Sequence, residues 1–204
     1  LKDLDEAEKY LNVETWEEGR NYRFNQVSAK ALRARTYLYM GQWEEALKAA
    51  KAVLTIHPEL EDLTKSTTLP NHFKSVENIV ALEQFSSNLY TVINMPSPDF
   101  ITLYRTGDQR RTKFYKRVTS STYSLLKGGS DGFASTFRTA EFYLTAAEAS
   151  ARLHEKEDAI NYLIPLMEKR KSVELFTKMF GKYNSVCLLC SEPTPEQCHR
   201  RLLA

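Results

Sequence analysis

The sequence predicts a mainly α-helical fold in which stacked helical hairpins support a long irregular insertion that contains short strands. The prediction rests on three observations. Residues 25–58 have the periodicity of two helices joined by a tight turn. Residues 137–169 repeat this pattern and align with the first copy without a gap. Residues 59–136, between the two copies, lose the helical period.

Size and charge narrow the classes of function. The 204 residues suffice for one domain, or for one domain with a short appendage. A net charge of +2 gives no electrostatic reason to expect nucleic acid as a partner. The densest basic stretch, residues 105–117, is interrupted by Asp108, threonine and aromatic residues, so it is interpreted as a solvated face. No stretch approaches the roughly 18 apolar residues of a membrane span.

Helical periodicity places three helices in the first 58 residues. They are predicted at residues 4–12, 26–40 and 42–56, with a polar and aromatic connector at 16–22. Small and apolar residues form one stripe on each of the last two helices. The stripes consist of Val27, Ala31, Ala34 and Leu38, and of Ala46, Ala49, Ala50 and Val53.

These two helices have the features of a tetratricopeptide hairpin. Gly41 and Gln42 make the turn, Trp43 opens the second helix and Pro58 closes it. Such a unit cannot bury its own apolar face, so we expect it to stack on another hairpin.

The insertion is predicted to mix loops with short elements. We expect a loop at 59–73, a strand within 75–86, breaks at Pro96 and Pro98, a short helix at 100–104, extended strands at 112–126 and a flexible turn at 127–132. Long irregular excursions from a rigid scaffold usually carry function.

The second hairpin is predicted as helices at 136–152 and 158–169. Aligning Ala147 with Ala34 also aligns Ala159 with Ala46, as expected for repeats.

Three features, in this order, resemble one family. The first is the hairpin AKALRARTYLYMGQWEEALKAAKAVL, and the second is the segment Gly107-Asp108-Gln109-Arg110-Arg111 after a proline-rich stretch. The third is FRTAEFYLTAAEASARL, where Arg138, Ala140, Glu141, Tyr143, Leu144, Ala147, Glu148 and Ala149 match the pattern Arg-x-Ala-Glu-x-Tyr-Leu-x-x-Ala-Glu-Ala. Together they resemble the SusD/RagB outer-membrane nutrient-binding lipoproteins over about residues 1–171, the predicted helical-repeat domain.

The resemblance implies a function. In that family a helical-repeat scaffold supports a loop-rich surface that captures glycans or other nutrients, and the protein is a lid on a TonB-dependent transporter. It implies surface exposure at the outer membrane, no cofactor, and contact with the membrane only through a lipid anchor absent from this chain. The chain lacks the family's leader, its N-terminal repeat helices and its long region after the Glu141 helix. Because it begins with Leu1 rather than Met, we expect it to be a piece of a longer protein.

The tail, residues 172–204, departs from this pattern. Its Leu-Leu-Cys-x-Glu and Cys-His-Arg signatures resemble the C-terminal end of a family of small uncharacterised proteins, and we expect a strand at 186–190 and then a helix. The spacing of Cys187, Cys190, Cys198 and His199 invites a zinc site, a redox pair or a reactive thiolate. Adjacent Cys198 and His199 would point to different sides of a helix, so we expect three ordinary thiols and no metal.

Aromatic residues in the connectors are the candidates for ligand contact, because a sugar presents an apolar face that stacks on a ring. The aromatic candidates are Trp16, Tyr22, Phe85, Tyr90, Phe100, Tyr104 and Tyr115, and the neighbouring polar residues are Asn88, Asn94, Asp99 and Arg105. The predicted ligand set is Trp16, Tyr90, Asn94, Asp99, Tyr104 and Arg105. The alternative is that most of these rings fill the core between insertion and scaffold.

No catalytic arrangement is recognised in the sequence, so no enzymatic activity is predicted. Glu141 and Glu148 suit a packing or capping network, and His57 is expected to contact the carbonyls at a helix end. Two alternatives to nutrient binding stay open. One is an intracellular tetratricopeptide adaptor for a peptide or protein, and the other is a cysteine-dependent enzyme based on the tail.

Overall fold

The computed structural model describes residues 1–17, 21–70, 72–82, 95–104, 106–126 and 137–170. The helices in these residues are α1 (Lys2–Tyr10), α2 (Gln26–Tyr39), α3 (Trp43–Ile56), α4 (Pro98–Thr102), α5 (Gln109–Lys113), α6 (Thr139–Arg152) and α7 (Lys156–Arg170). The strands are β1 (Asn78–Val80), β2 (Tyr115–Arg117), β3 (Tyr123–Leu125) and β4 (Phe137–Arg138). The predicted fold class, mainly helical with short strands in an insertion, is confirmed.

Local signals set the limits of the first hairpin. The Asn25 side chain accepts a hydrogen bond from the Ser28 backbone N–H at 2.8 Å, and the Ser28 hydroxyl accepts one from the Asn25 N–H at 2.8 Å. This capping box starts α2. Gly41, with a φ of +69°, provides the left-handed residue after α2, which most other residues adopt only at a cost. The helices therefore end and begin one residue inside the predicted limits, at Tyr39 and Trp43.

The two hairpins stack directly on each other, although the insertion separates them in sequence. Helix α3 contacts α2 on one side and α6 on the other, and α6 contacts α7. Ala34, Ala46 and Ala50 are completely buried, so the predicted helix contact is confirmed. One core cluster contains residues of both stripes of the first hairpin. It also contains Phe142, Ala146 and Ala149 of α6, Ile79 and Val80 of β1, and Phe137 of β4.

The insertion follows the prediction in part. The predicted strand within 75–86 is present as β1, and a short helix lies near 100–104 but begins at Pro98, after the N-cap Ser97. The extended region predicted from residue 112 begins only at Tyr115. Asp108 explains the difference, because its side chain accepts a hydrogen bond from the Arg110 N–H at 2.9 Å and so starts α5. The predicted turn at 127–132, the domain boundary after 171 and the tail lie outside the described residues.

The two ends of the insertion are held together at its base. Strand β1 pairs antiparallel with β4, in the register Asn78 to Arg138 and Val80 to Phe137. The Thr139 N–H donates to the Glu77 carbonyl at 2.9 Å. The Tyr143 hydroxyl donates to the Pro58 carbonyl at 3.2 Å, which ties the start of the insertion to α6. We call this set of contacts the neck of the insertion.

A buried ion pair joins the insertion to the last described helix. The Glu77 side chain is completely buried, and its Oε1 accepts hydrogen bonds from Arg170 Nη2 and from the Glu61 N–H, the latter at 2.9 Å. Arg170, at the end of α7, also donates to the Glu61 carbonyl. The hydroxyl of Ser75 donates to Glu61 Oε2 at 2.9 Å. Charges buried this deeply require partners, so the first part of the insertion depends on the second hairpin.

Replacing Ala46 with Leu should lower the free energy of unfolding by about 1–3 kcal/mol, because the larger side chain overpacks the contact between α2 and α3. Urea denaturation measures the change. Lys48→Ala, at an exposed position of the same helix, should alter the free energy by no more than about 0.5 kcal/mol. Wild-type stability of Ala46→Leu would contradict the packing described.

Replacing Arg170 with Met should lower the free energy of unfolding by about 3–5 kcal/mol, since the buried Glu77 carboxylate then lacks its cation. The double variant Glu77→Leu/Arg170→Met should recover part of this loss, because neither member of the pair is then buried alone, while the nearby Arg138 keeps the Glu141 charge. Thermal and urea denaturation check both variants. Lys169→Met, at a side chain that is 42% exposed, is the control and should be close to wild type. A double variant no more stable than Arg170→Met would argue against the ion pair.

Candidate functional site

Three aromatic rings of the insertion, among the residues that the structure describes, pack together. Phe100 meets Tyr104 edge-to-face, with ring centroids 5.6 Å apart, and meets Tyr115 in the same way at 6.0 Å. The centroids of Tyr104 and Tyr115 are 5.6 Å apart. All three rings are only half-buried. We call these residues the insertion aromatic cluster.

Helix α4 and strand β2 position this cluster. Ser97 caps α4, its hydroxyl accepting from the Phe100 N–H at 3.2 Å, and Ile101 is buried beneath the helix. Tyr104 and Tyr115 then lie with their hydroxyl oxygens 3.2 Å apart. Burial, together with this hydrogen bond, raises the pKa of Tyr115 above its ordinary value. The phenol is therefore neutral at physiological pH and can donate or accept a hydrogen bond.

A buried ion pair supports the cluster from below. Asp108 is buried and accepts from Arg110 Nη2 at 2.6 Å and from Arg110 Nε at 3.0 Å. Burial lowers the pKa of the Arg110 guanidinium, but the hydrogen bond and charge of Asp108 outweigh it and raise that pKa overall. The guanidinium carbon lies 5.2 Å from the centroid of Tyr104. Arg110 thus fixes the orientation of the Tyr104 ring through a cation–π contact.

The hairpin of β2 and β3 extends this surface. Its register pairs Tyr115 with Leu125, Lys116 with Ser124, and Arg117 with Tyr123. Because side chains alternate between the two faces of a strand, Tyr115, Arg117 and Tyr123 share one face. The aromatic surface therefore continues from the cluster along this face of the hairpin.

A second aromatic group lies in the connector between α1 and α2. Trp16 Nε1 donates to the Phe24 carbonyl at 3.1 Å, which fixes the indole. The Arg23 guanidinium lies 5.5 Å from the Trp16 ring centroid and 5.4 Å from that of Tyr22. Tyr22 and Phe24 are exposed. Trp16 thus contacts a different set of residues from those of the insertion aromatic cluster.

The structure describes three of the six predicted ligand residues. Tyr104 belongs to the insertion aromatic cluster, Asp99 is exposed in the first turn of α4, and Trp16 lies in the connector. Tyr90, Asn94 and Arg105 lie outside the described residues, as do the candidates Phe85 and Asn88 and the tail residues Cys187, Cys190, Cys198 and His199.

Sequence reasoning did not select two residues of this surface. Arg110 was noted only as part of a family-like segment, and Tyr123 was not selected at all. Their contacts depend on the capping by Asp108 and on the strand register. The alternation of Tyr115 with Arg117, and of Tyr123 with Leu125, is the signal that could have found the shared face.

Glu141 belongs to the packing network predicted for it. Arg35 of α2 donates from Nε to Glu141 Oε1 at 2.6 Å and from Nη2 to Oε2 at 2.7 Å, and its guanidinium lies 4.3 Å from the Phe137 ring centroid. Glu148 is buried, with Arg152 Nη2 at 3.9 Å from its Oε1. Glu141 therefore links α2 to α6, whereas the pair of Glu148 with Arg152 lies within α6.

His57 makes a contact that the sequence did not predict. Its Nδ1 lies 2.7 Å from the hydroxyl oxygen of Thr139, so its side chain helps to close the neck of the insertion, and it also hydrogen-bonds its own backbone carbonyl at the end of α3. Burial lowers the pKa of the imidazole below 6.5, opposed by the Glu59 carboxylate, whose Oε2 is 3.9 Å away. Burial therefore favours the neutral imidazole.

Lowering the pH should destabilise the fold through His57. The folded-state pKa lies below the unfolded value of 6.5, so the contribution is present above pH 6.5 and is lost as the pH falls through the folded pKa. The slope for one group is at most about 1.4 kcal/mol per pH unit. His57→Asn, which keeps an acceptor for Thr139, should flatten the dependence in urea denaturation between pH 7.5 and 5.5. His154→Asn, in an exposed turn, should retain it, and equal slopes for both variants would contradict the assignment.

Two searches of the described residues bear on the kind of site. No group of three or more His, Cys, Asp or Glu side chains there could hold a metal ion. None of the helices described is both long and apolar enough to cross a membrane.

Comparison by sequence found no matching family model and no matching curated protein. Comparison by structure found SusD-like folds. A SusD-like carbohydrate-binding protein from Bacteroides vulgatus is 22% identical, with a TM-score of 0.64, over 83% of this chain and 42% of its own. A SusD superfamily protein from Bacteroides thetaiotaomicron is 21% identical, with a TM-score of 0.67, over 83% of this chain and 45% of its own. One from Bacteroides fragilis is 22% identical, with a TM-score of 0.61, over 84% of this chain and 43% of its own.

These likenesses establish the fold. The chain has the helical-repeat fold of SusD-like structures over more than four fifths of its length, as the sequence resemblance implied. It spans less than half the length of each of these three structures.

Proposed function

We propose that this chain is part of a nutrient-binding protein that captures a glycan without turning it over. The insertion aromatic cluster carries the proposal, since it presents half-exposed rings on the fold of a protein described as carbohydrate-binding. Rings of this kind stack on the apolar C–H face of a sugar, while neighbouring hydroxyls and charges bind its hydroxyl groups.

Each side chain of the cluster has a distinct proposed role. Tyr104 and Tyr115 offer ring faces together with neutral hydroxyls that can exchange their mutual hydrogen bond for one to a sugar. Arg110 holds Tyr104 in place through the cation–π contact, and Asp108 holds Arg110. The surface is thus ordered before ligand arrives, which reduces the entropy cost of binding.

Further ligand contacts are proposed around this cluster. Asp99 is exposed on α4, one residue before Phe100, and its carboxylate can accept hydrogen bonds from sugar hydroxyls. Trp16 is proposed as a separate stacking contact. Tyr90, Asn94 and Arg105, outside the described residues, complete the proposed ligand set.

The wider assembly is also a proposal. By likeness of fold we propose that the whole protein is anchored by lipid at the outer membrane, faces outward and delivers its nutrient to a TonB-dependent transporter. We further propose that residues 1–171 form the helical-repeat domain and that residues 172–204 are a separate tail.

Replacing Tyr104 with Leu should weaken glycan binding by roughly fivefold to a hundredfold, because the side chain keeps apolar bulk but loses the ring face and the hydroxyl, a difference of about 1–3 kcal/mol. Titration calorimetry with oligosaccharides selected from a glycan array gives the affinity. Tyr10→Leu is the matched control, since Tyr10 is an exposed tyrosine on α1. No binding to any neutral or acidic glycan would reject the proposed function. Equal losses for both variants would reject the proposed site.

A further inference from the structure

Positive charge is concentrated around the insertion aromatic cluster. Residues 95–126 contain six cationic residues and two acidic ones, whereas the whole chain has a net charge of only +2, so the rest of the chain is net negative. Asp108, one of the two acids, is buried and paired with Arg110. The described cations that remain are Arg111, Lys113, Lys116 and Arg117.

The described structure gives these cations no carboxylate partner. Asp99, the other acid of the stretch, has no recorded ion pair with them. Lys113 donates to the Ser66 carbonyl, and Arg117 donates from Nε to the Thr119 carbonyl and from Nη2 to the Ser120 carbonyl, each at 3.0 Å. Carbonyls fix the direction of a cation without neutralising its charge, so the field of these groups stays available to an anion.

The register of the hairpin combines these charges with rings. Arg117 lies directly opposite Tyr123 and on the same face as Tyr115, which belongs to the insertion aromatic cluster. The Arg117 guanidinium, anchored by two carbonyls, is a planar donor suited to a carboxylate or sulfate. Lys116 is exposed on the opposite face of the strand and adds to the same local potential.

We propose that the glycan bound by this surface is anionic. Its carboxylate or sulfate groups pair with Arg117 while its sugar rings stack on the tyrosines, and Lys116 and Arg111 add to the positive potential that attracts it. This inference rests on the proposed function and assigns its ligand class. A neutral glycan would use only the rings, whereas an acidic one uses both the rings and the cations. Residues 106–117 are then a ligand surface, in contrast to the solvated face that the sequence pattern of residues 105–117 indicated.

The test compares ligands that differ only in charge. Oligogalacturonides supply carboxylates, and their methyl esters are the neutral counterpart. Chondroitin sulfate oligosaccharides, which carry both carboxylates and sulfates, are compared with unsulfated chondroitin oligosaccharides of the same length. A dodecamer of thymidine serves as a polyanion without a glycan. The acidic oligosaccharides should bind at least about fivefold more tightly than the methyl esters, and added salt should reduce the difference. Tighter binding of the sulfated than of the unsulfated chondroitin oligosaccharides would show that sulfate is recognised in addition to carboxylate.

Two double variants test whether the cations near the insertion aromatic cluster cause the preference for acidic ligands. Arg111→Gln/Lys116→Gln removes two charges that make no recorded hydrogen bond, so the fold is expected to be retained, as judged by unchanged melting. It should weaken the acidic ligand about fivefold and leave the methyl ester unchanged. Lys48→Gln/Lys51→Gln removes two exposed charges from α3 and should have no effect on either ligand.

Each other outcome overturns a stated claim. Equal binding of acid and ester would reject the anionic class and leave the proposed glycan binding intact. Binding of neither sugar would reject both. Thymidine dodecamer binding as tight as that of the acidic sugars, and insensitive to Tyr104→Leu, would mean that the surface binds polyanions through charge alone. Equal losses of affinity for the acidic ligand in the two double variants would mean that Arg111 and Lys116 are not responsible for its recognition.

Discussion

The contact between α3 and α6 is the interaction on which the rest of the structure depends. It forms between hairpins that the insertion separates in sequence, and both helices contribute buried small residues to the same core cluster: Ala49 and Ala50 from α3, Ala146 and Ala149 from α6. A hairpin of this type cannot bury its apolar face alone, so the first hairpin obtains its core only when the second one docks. The insertion residues Ile79 and Val80 join the same cluster, so docking also orders the base of the insertion.

This docking makes an ordered surface out of an irregular segment. The neck joins the two ends of the insertion through β1 and β4 and through the contact of His57 with Thr139. The Glu77–Arg170 pair holds the insertion against the end of α7. The conformational entropy of a long excursion is reduced once its ends are fixed, and the short α4 and α5 then need only local caps, Ser97 and Asp108. The helical scaffold thus provides the stability, and the irregular insertion provides the surface that is proposed to bind ligand.

How far the candidate site could be predicted depended on the range of its interactions. Tyr104 and Asp99 were selected because aromatic and polar residues in a connector are typical of sugar contacts, which is a property of composition. The cluster itself requires Tyr115 to approach Phe100 and Tyr104 across a helix and a loop, and Arg110 joins it only because Asp108 caps α5. Neither contact produces a periodic pattern in the sequence, so neither could be predicted from periodicity. For His57, composition indicated only a helix end, whereas its partner Thr139 lies at the far end of the insertion.

The sequence by itself determined the helical hairpins, their repeat relationship and the likeness to SusD-type proteins. The signals are local: periodic small residues, the capping box at Asn25 and Gly41 in the turn. A structure that depends only on neighbouring residues can be predicted from a short stretch of sequence. The tertiary structure decided how the insertion is closed, which rings meet and which cations have no carboxylate partner among the described residues. Those outcomes follow from the docking of the hairpins and from strand register, which bring together residues that are far apart in the chain. A single stretch of sequence does not reveal which distant residues will be its neighbours.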